Sequence, residues 1–198
     1  MPEKRSSDVK NRIFETTKAL VKARGNVTIK DIAEACYINI AAVNYHFGSK
    51  DELLNRVMES VIDELKSLVQ DNIAALPKNT PPENALRIML DFTYDFAVEN
   101  VGVITQIFLE PRHKDNAGMM VLDAFFSDTP FTHNVFQKLA ESTGIQDEET
   151  LRAKYLLLFS SFAIPLFLQI LDNRDEHAGL KNPAFKGKYI NELIKILV

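Results

Sequence analysis

The sequence has one cysteine and no long apolar run. A single cysteine, Cys36, excludes an intramolecular disulfide and favours a reducing compartment. The longest segment without a charged residue, Tyr155 to Leu171, is about one turn short of the ~20 residues that span a membrane, and it contains Pro165. We therefore expect a helix buried on all sides within protein, and no membrane partner. Residues 1–12 are polar and lack the apolar core of a secretory signal, so the predicted location is cytoplasmic.

The sequence also lacks the common motifs of catalytic sites. It has no glycine-rich phosphate loop and no nucleophile elbow. Its histidines do not stand at metal-ligand spacing from one another or from Cys36. We therefore predict no enzyme activity, no metal site and no cofactor. The four histidines concerned are His46, His113, His133 and His177.

Acidic residues outnumber basic ones, but the two kinds are unevenly distributed along the chain. The formal net charge is −4. Residues 1–50 hold nine Lys or Arg against five Asp or Glu, a net +4, whereas residues 51–198 hold fourteen against twenty-two, a net −8. A basic N-terminal segment on an acidic remainder is expected when only one end of a protein meets a polyanion.

Helical periodicity, helix caps and Pro or Gly stops predict an all-α fold without internal repeats. On the first helix we expect an amphipathic pattern of Ile13, Ala19 and Leu20, with Val9, Thr16 and Thr17 between them. A Pro-rich break at residues 76–84 separates the early helices from the later ones. The predicted domains are a three-helix domain at 1–50 and a larger helical domain at 51–198. The predicted helices are 8–24, 28–36, 40–46, 50–75, 83–99, 101–110, 116–127, 130–142, 147–171 and 182–198.

The second and third helices are short and are joined by a tight turn, which is typical of a helix-turn-helix. Asn39 is a good N-cap for the third helix and is included in the predicted DNA-binding set. A recognition helix needs small or polar exposed residues that let its backbone approach the base edges. Methyl groups can contact thymine, and an amide can pair with adenine. The predicted base-facing residues are Ile40, Ala41, Ala42 and Asn44.

A second predicted set contacts the DNA backbone. Thr28 and Lys30 stand at a helix N-terminus, where amides and the dipole favour an anion. Tyr45, His46 and Lys50 follow the recognition residues and can each donate to phosphate. Alternatives remain for three of these residues, since His46 could be a partly buried structural histidine, Tyr45 could pack on the first helix, and Lys50 could simply be solvated.

These segments, T-I-K-D-I-A-E-A followed by A-A-V-N-Y-H-F-G-S-K-D-E-L-L, resemble the DNA-binding domain of the TetR/AcrR family of bacterial transcriptional regulators. The resemblance covers roughly residues 8 to 60. It implies an all-helical homodimer whose C-terminal region binds a small effector, and it implies the same base-facing and backbone-facing positions. Two positions depart from the family pattern. Tyr37 stands where the family usually has a glycine, and Asn44 stands where it often has tyrosine.

The region after residue 50 is predicted to form the dimer and to bind the effector. The last two predicted helices are the most apolar, and exposed Leu193, Ile194, Ile196, Leu197 and Val198 would be unusual in a monomer. The alternative is that these helices bury only the core of their own chain. The resemblance implies a pocket between the helices that start near residues 49, 83, 101 and 116. Aromatic and Met side chains suit an apolar ligand but also fill ordinary cores. The candidate ligand-binding residues are Met89, Phe92, Phe96, Phe108 and Met119.

Together these observations predict a ligand-responsive, DNA-binding transcriptional regulator. The predicted partners are double-stranded operator DNA, a small apolar or aromatic effector and a second copy of the chain. We expect a repressor that the effector releases from its operator. The alternative is a helical protein-interaction module that keeps the fold without sequence-specific DNA binding, which the acidic net charge and Tyr37 would suit.

Overall fold

The computed structural model of the chain describes residues 2–109, 117–171 and 180–198. Within these ranges the chain forms ten α-helices and no β-strand, which confirms the predicted all-α fold with an N-terminal helix-turn-helix. None of the described helices is both long and apolar enough to cross a membrane. In chain order the helices are α1 (Pro2–Arg24), α2 (Ile29–Ala35), α3 (Ile40–Phe47), α4 (Lys50–Ala75), α5 (Pro82–Glu99), α6 (Val101–Leu109), α7 (Ala117–Phe125), α8 (Pro130–Thr143), α9 (Glu148–Leu171) and α10 (Pro183–Leu197).

The predicted helix boundaries agree closely with the observed ones, and α1 differs most. It begins at Pro2, whereas the apolar periodicity placed its start at Asp8. The predicted Pro-rich break is confirmed, since α4 ends at Ala75 and α5 begins at Pro82. Local caps and helix breakers therefore located most helix ends in this chain.

The helices pack as two units, and their limits differ from the predicted domains. Unit 1 comprises Met1–Ile62 and Asn100–Met120, and unit 2 comprises Asp63–Glu99 and Val121–Val198. The division falls within α4, and α6 belongs with the N-terminal helices. The predicted boundary at residue 50 separates a DNA-binding function from an effector-binding function, and not two packing units. It therefore stays a prediction.

The buried face of α1 in unit 1 follows a four-residue repeat. Ile13, Thr17 and Val21 are almost completely buried, and the Thr17 hydroxyl donates to the carbonyl oxygen of Ile13 at 2.7 Å. That bond removes the cost of burying the hydroxyl. The predicted apolar face was wrong at Ala19, which is exposed, and Leu20 is only half-buried. Both residues lie off the stripe that Ile13, Thr17 and Val21 form.

A close backbone contact joins α6 to α1 within unit 1. A Cβ atom added at Gly102 would lie 2.1 Å from the carbonyl oxygen of Val21 and 2.7 Å from that of Lys22. Only glycine permits this approach without moving one helix. Gly25, which follows α1, has φ +73° and lies against Gly102 and Thr105. The end of α1 and the start of α6 are therefore fixed against each other by backbone shape.

Unit 2 is held by packing of α5, α8, α9 and α10 and by a few polar contacts between its elements. The Tyr94 hydroxyl donates to the carbonyl oxygen of Leu180 at 2.7 Å. Lys186 on α10 reaches both Asp91, at 2.9 Å, and Asp95, at 2.7 Å, on α5. Partial burial of the ammonium acts to lower the Lys186 pKa, but the two carboxylates outweigh it and raise that pKa.

The expectation that α9 is buried on all sides was wrong for the single chain. Leu156, Leu157 and Ile164 are each at least half exposed, although Leu158 and Leu166 are buried. The apolar run does form a helix, as predicted, but a single chain covers only one side of that helix. The other side of α9 therefore exposes aliphatic side chains to solvent.

The C-terminal apolar residues divide in the same way between core and surface. Leu193, Ile194 and Leu197 are buried within unit 2, so the expected exposed patch was wrong for these three. Ile196 and Val198 remain exposed. The buried and the exposed apolar residues lie on different sides of α10. One side of the helix therefore packs in the core of its own unit, and the other side is open to solvent.

Candidate nucleic-acid interface

The N-terminus of α2 is closed by a complete capping box. The Thr28 hydroxyl accepts from the Asp31 amide at 3.1 Å, and the Asp31 carboxylate accepts from the Thr28 amide at 2.8 Å and from the Thr28 hydroxyl at 2.6 Å. The Thr28 hydroxyl and amide hold the pKa of Asp31 below its ordinary value. Thr28 is exposed at the predicted position, but both of its donors are already bonded to Asp31. A phosphate there would have to bond to other donors or displace the carboxylate.

The turn between α2 and α3 has a Schellman geometry with tyrosine in the position that glycine usually takes. The Ile38 amide donates to the Ala33 carbonyl oxygen at 3.0 Å, and the Tyr37 amide donates to the Glu34 carbonyl oxygen at 3.1 Å. Tyr37 has φ +54° and its side chain is 95% exposed. The turn therefore forms with a tyrosine in it, and the Tyr37 backbone lies in the left-handed region that favours glycine.

The N-terminus of α3 is capped by Asn39, whose side-chain oxygen accepts from the Ala42 amide at 2.8 Å. Ile40 and Ala41 are exposed and Ala42 is half-buried. Asn44 is exposed, and no hydrogen-bond partner of its amide group is found in the described ranges. The predicted base-facing residues thus share the open side of one helix.

The C-terminal end of α3 carries the two predicted aromatic donors. Tyr45 is 82% exposed and His46 is half-buried, and their rings meet edge to face with centroids 5.1 Å apart. Tyr45 does not pack on α1, so that alternative does not describe this structure. Both rings are held beside the exposed face that Asn44 belongs to.

Two residues of α3, Val43 and Phe47, are buried and attach the helix to unit 1. The Phe47 ring is flanked by two cations, Lys10 of α1 and Arg56 of α4, each 5.8 Å from its centroid. Such cation–π contacts are worth roughly 0.5–1 kcal/mol at exposed sites. Neither cation was identified from the sequence, because they are distant from Phe47 along the chain and only the folded helices bring them together.

Lys50, at the start of α4, lies near the beginning of α2. Its ammonium donates to the carbonyl oxygen of Val27 at 3.4 Å. Val27 directly precedes Thr28, which is the N-cap of α2. The Ser49 hydroxyl accepts from the Glu52 amide at 3.1 Å and thereby caps the start of α4. The fold therefore brings Lys50 to Val27, the residue before the Thr28 cap, across a long stretch of sequence.

Lys30 makes one weak contact inside α2. Its ammonium lies 3.7 Å from the Glu34 carboxylate, and both side chains are largely exposed. An exposed pair of this kind contributes little to stability and exchanges readily with solvent. Lys30, in the first turn of α2, can therefore bind a second anion near the capped start of that helix.

The predicted effector-binding residues are not gathered into one described site. Met89 is buried, Phe92 and Phe96 are half-buried on α5 of unit 2, and Met119 is exposed in unit 1. The side chain of Phe108 lies outside the described residues. This set stays a prediction.

Unit 2 contains a small cleft that the sequence did not identify. It lies between α5, α9 and α10 and has a volume of about 10 Å³, which is room for little more than one water molecule. Pro165 lacks the N–H that would bond to the Ser161 carbonyl, and the Tyr189 hydroxyl donates to that oxygen instead. The signal was Pro165 within an otherwise helical run, but the partner on α10 could not be read from it. The lining includes Tyr94, Val98, Phe162, Pro165, Leu180 and Tyr189.

Comparisons with known proteins agree with this geometry. Residues 13–57 match the family model described as bacterial regulatory proteins, tetR family. The transcriptional regulator BetI of Agrobacterium fabrum is 26% identical over 100 residues, and the match covers 49% of this chain and 47% of that regulator, just under half of its length.

Solved structures reproduce the fold over almost the whole chain. The Bacillus subtilis regulator FadR, solved in complex with stearoyl-CoA, superposes with a TM-score of 0.67 at 10% identity and covers 92% of this chain and 96% of its own. A putative TetR-family regulator from Mesorhizobium loti superposes with a TM-score of 0.66 at 18% identity, covering 98% and 96%. At these identities the superpositions establish the fold.

Proposed function

We propose that this chain, which belongs to the TetR family of bacterial regulatory proteins, is a ligand-responsive transcriptional repressor that reads operator DNA with α3. One observation carries the proposal. The exposed side of α3 presents small and polar groups without partners in the described structure, while Val43 and Phe47 fix the opposite side in unit 1. Such a helix can enter the major groove without rearrangement.

Four residues of α3 are assigned to base edges. Ile40, Ala41 and Ala42 offer methyl groups for thymine, and the Asn44 amide offers a donor and an acceptor for adenine. Asn39 stands at the helix start, where its capping bond leaves the NH₂ group free to reach DNA. These contacts would give sequence preference.

A second set is assigned to the phosphate backbone. Lys50 and Lys30 supply charge near the start of α2, and Tyr45 and His46 supply donors at the end of α3. Thr28 contributes mainly by holding the start of α2 in place, because its own donors are engaged by Asp31. These contacts would set affinity and salt dependence rather than preference.

A homodimer through α9 and α10 completes the proposal. Leu156, Leu157 and Ile164 form an aliphatic face on α9, and Ile196 extends the exposed apolar surface of α10. Within unit 2 the Lys154 ammonium donates to the Leu197 carbonyl oxygen at 2.6 Å, so α9 and the end of α10 are joined. A second copy would cover this surface and supply a second α3 for a two-fold operator.

The effector is proposed to be a small apolar or aromatic molecule bound in the helices after residue 50 in the cytoplasm. A shift of α4 would then be passed to α3, because α4 begins only three residues after Phe47. Linkage requires that operator DNA weaken effector binding by the same factor as the effector weakens DNA binding. Effector affinity that saturating operator leaves unchanged would refute the coupling.

The DNA-binding assignment is tested by gel shift on the DNA that flanks the gene. Lys50→Ala should weaken binding to all sequences alike and reduce the salt slope by about one. Asn44→Ala should relax preference at one base pair, by roughly 1–3 kcal/mol. Lys78→Ala, an exposed lysine in the loop after α4, is the matched control and should change neither. If both α3-side variants behave as the control does, the assignments fail.

The second candidate, a helical protein-interaction module, is favoured only by the acidic net charge of −4. It expects wild-type protein to bind flanking DNA no more tightly than unrelated DNA at any salt concentration. A specific, salt-dependent complex would exclude it.

A further inference from the structure

Tyr37 is an exception among the described residues with positive φ. Three glycines, Gly25, Gly48 and Gly144, take this backbone conformation, and Tyr37 with φ +54° is the sole described residue with a side chain that does so. In the left-handed region a Cβ crowds the following carbonyl oxygen, so tyrosine here costs free energy that glycine would not.

Nothing within the described fold offsets that cost. The Tyr37 amide bond to the Glu34 carbonyl oxygen would form equally well with glycine, since only the backbone takes part. The ring is 95% exposed, and its hydroxyl has no partner among the residues that the structure describes. Backbone strain that no contact within the protein offsets tends to occur where a residue contacts something outside the chain.

The position of Tyr37 indicates what that contact is. It stands in the turn between α2 and α3, two residues before the N-cap Asn39. In a helix-turn-helix the N-terminal residues of the recognition helix reach base edges, so the turn before it lies near the groove wall, where phosphates stand. This step rests on the proposed function, because it takes α3 as the helix that enters the groove.

We propose that Tyr37 is a further DNA-contact residue whose phenol hydroxyl donates a hydrogen bond to a phosphate oxygen beside the groove that α3 reads. A phenol at about neutral pH is a neutral donor, and its rigid ring extends the hydroxyl beyond the turn. Glycine in the same turn could offer the phosphate no side-chain donor. Tyrosine at this position thus lowers the stability of the fold and raises the affinity for DNA.

The test measures fluorescence anisotropy of a labelled duplex from the DNA flanking the gene, together with Tm by differential scanning fluorimetry. Tyr37→Phe keeps the ring and the backbone strain, so Tm should stay the same while affinity falls about tenfold, as for one hydrogen bond to a charged group. The salt slope should not change, because no charge is removed. Tyr37→Gly should raise Tm and weaken binding at least as much.

A matched control separates strain from contact. Gly144, which ends α8, has φ +69° and open space where a Cβ would stand. Gly144→Tyr therefore introduces an exposed tyrosine under similar backbone strain in unit 2, and it should lower Tm without changing DNA affinity.

The remaining outcomes distinguish this inference from the proposed function. If the wild type binds flanking DNA and Tyr37→Phe binds as tightly, the hydroxyl contact is refuted and the proposed function stands. If Tyr37→Gly raises Tm and leaves affinity unchanged, Tyr37 is merely tolerated in the turn. Absence of wild-type binding at any salt concentration would overturn both.

Discussion

The exposed faces of α3 and α9 differ in the kind of surface that they offer a partner. The open side of α3 carries small and polar groups around Asn44, and unit 1 holds its other side rigidly through Val43 and Phe47. The open side of α9 carries Leu156, Leu157 and Ile164. Polar groups that are left unpaired suit a hydrated polyanion, whereas aliphatic groups suit a second protein surface.

We propose that one chain uses these two separate surfaces for two kinds of partner, operator DNA and a second copy of the chain. Specific DNA binding needs both, since a single recognition helix reads only a few base pairs and a dimer supplies the second half-site. Changes on α9 should therefore alter DNA binding without touching any DNA-facing residue.

The largest effect is expected from Leu157→Glu on α9. A charge at this aliphatic position should prevent dimer formation and lower affinity for a specific site by roughly 10³-fold, toward the non-specific level. Light scattering coupled to gel filtration reports the mass, and fluorescence anisotropy reports the affinity. Asn134→Glu, which adds the same charge on the exposed side of α8, is the control. A dimeric Leu157→Glu protein would contradict this assignment of the α9 face.

An intermediate effect is expected from Gly102→Ala, which tests whether unit 1 is a rigid base for α3. The added Cβ would lie 2.1 Å from the Val21 carbonyl oxygen, so α6 must move away from α1. Overpacking of this kind costs about 1–3 kcal/mol in the free energy of unfolding, measured by urea denaturation.

The matched glycine for this experiment is Gly187 on α10, where a Cβ would meet open space. Gly187→Ala should stabilise the protein by about 0.5–1 kcal/mol, because alanine is the better helix former. Equal effects of the two substitutions would show that the contact between α1 and α6 is not tight.

The smallest effect concerns Asp31 and the capped start of α2. Because the folded state holds the Asp31 pKa below its ordinary value of 3.8, the ionised carboxylate contributes stability above that value. This contribution is lost as the pH falls through the folded-state pKa. Asp31→Asn should therefore destabilise the protein at neutral pH, and the difference from wild type should shrink in acid. A difference that stays the same at every pH in urea denaturation would contradict this role of Asp31.

The α3 region could be predicted well because its signals are local. Asn39 caps the helix, Gly48 ends it, and Val43 with Phe47 lies four residues apart on the buried side. The exposed residues then follow from helical geometry alone. What could not be predicted was the contact of Lys50 with Val27 or the placement of Lys10 and Arg56 on Phe47, because these depend on how distant helices meet.

The later helices show the opposite limit. Their positions were predicted, but burial was not, because an apolar residue looks the same in sequence whether its own chain or a second copy covers it. Leu157 and Leu158 are neighbours of the same type, and only Leu158 is buried. Likewise Leu193, Ile194 and Leu197 were expected at the surface and lie in the core of unit 2. The candidate effector residues remain unassigned to a described pocket for the same reason.

Hydroxyl-radical footprinting of the wild-type protein on the DNA flanking its gene tests the central claim most directly. If α3 enters the major groove and α9 joins two copies, two protected segments should appear on one face of the duplex, about 34–36 Å apart or a multiple of that distance. In Leu157→Glu the paired protection should disappear at concentrations that protect the site in wild type. A complete absence of protection at low salt, or a paired footprint that Leu157→Glu retains, would contradict the account.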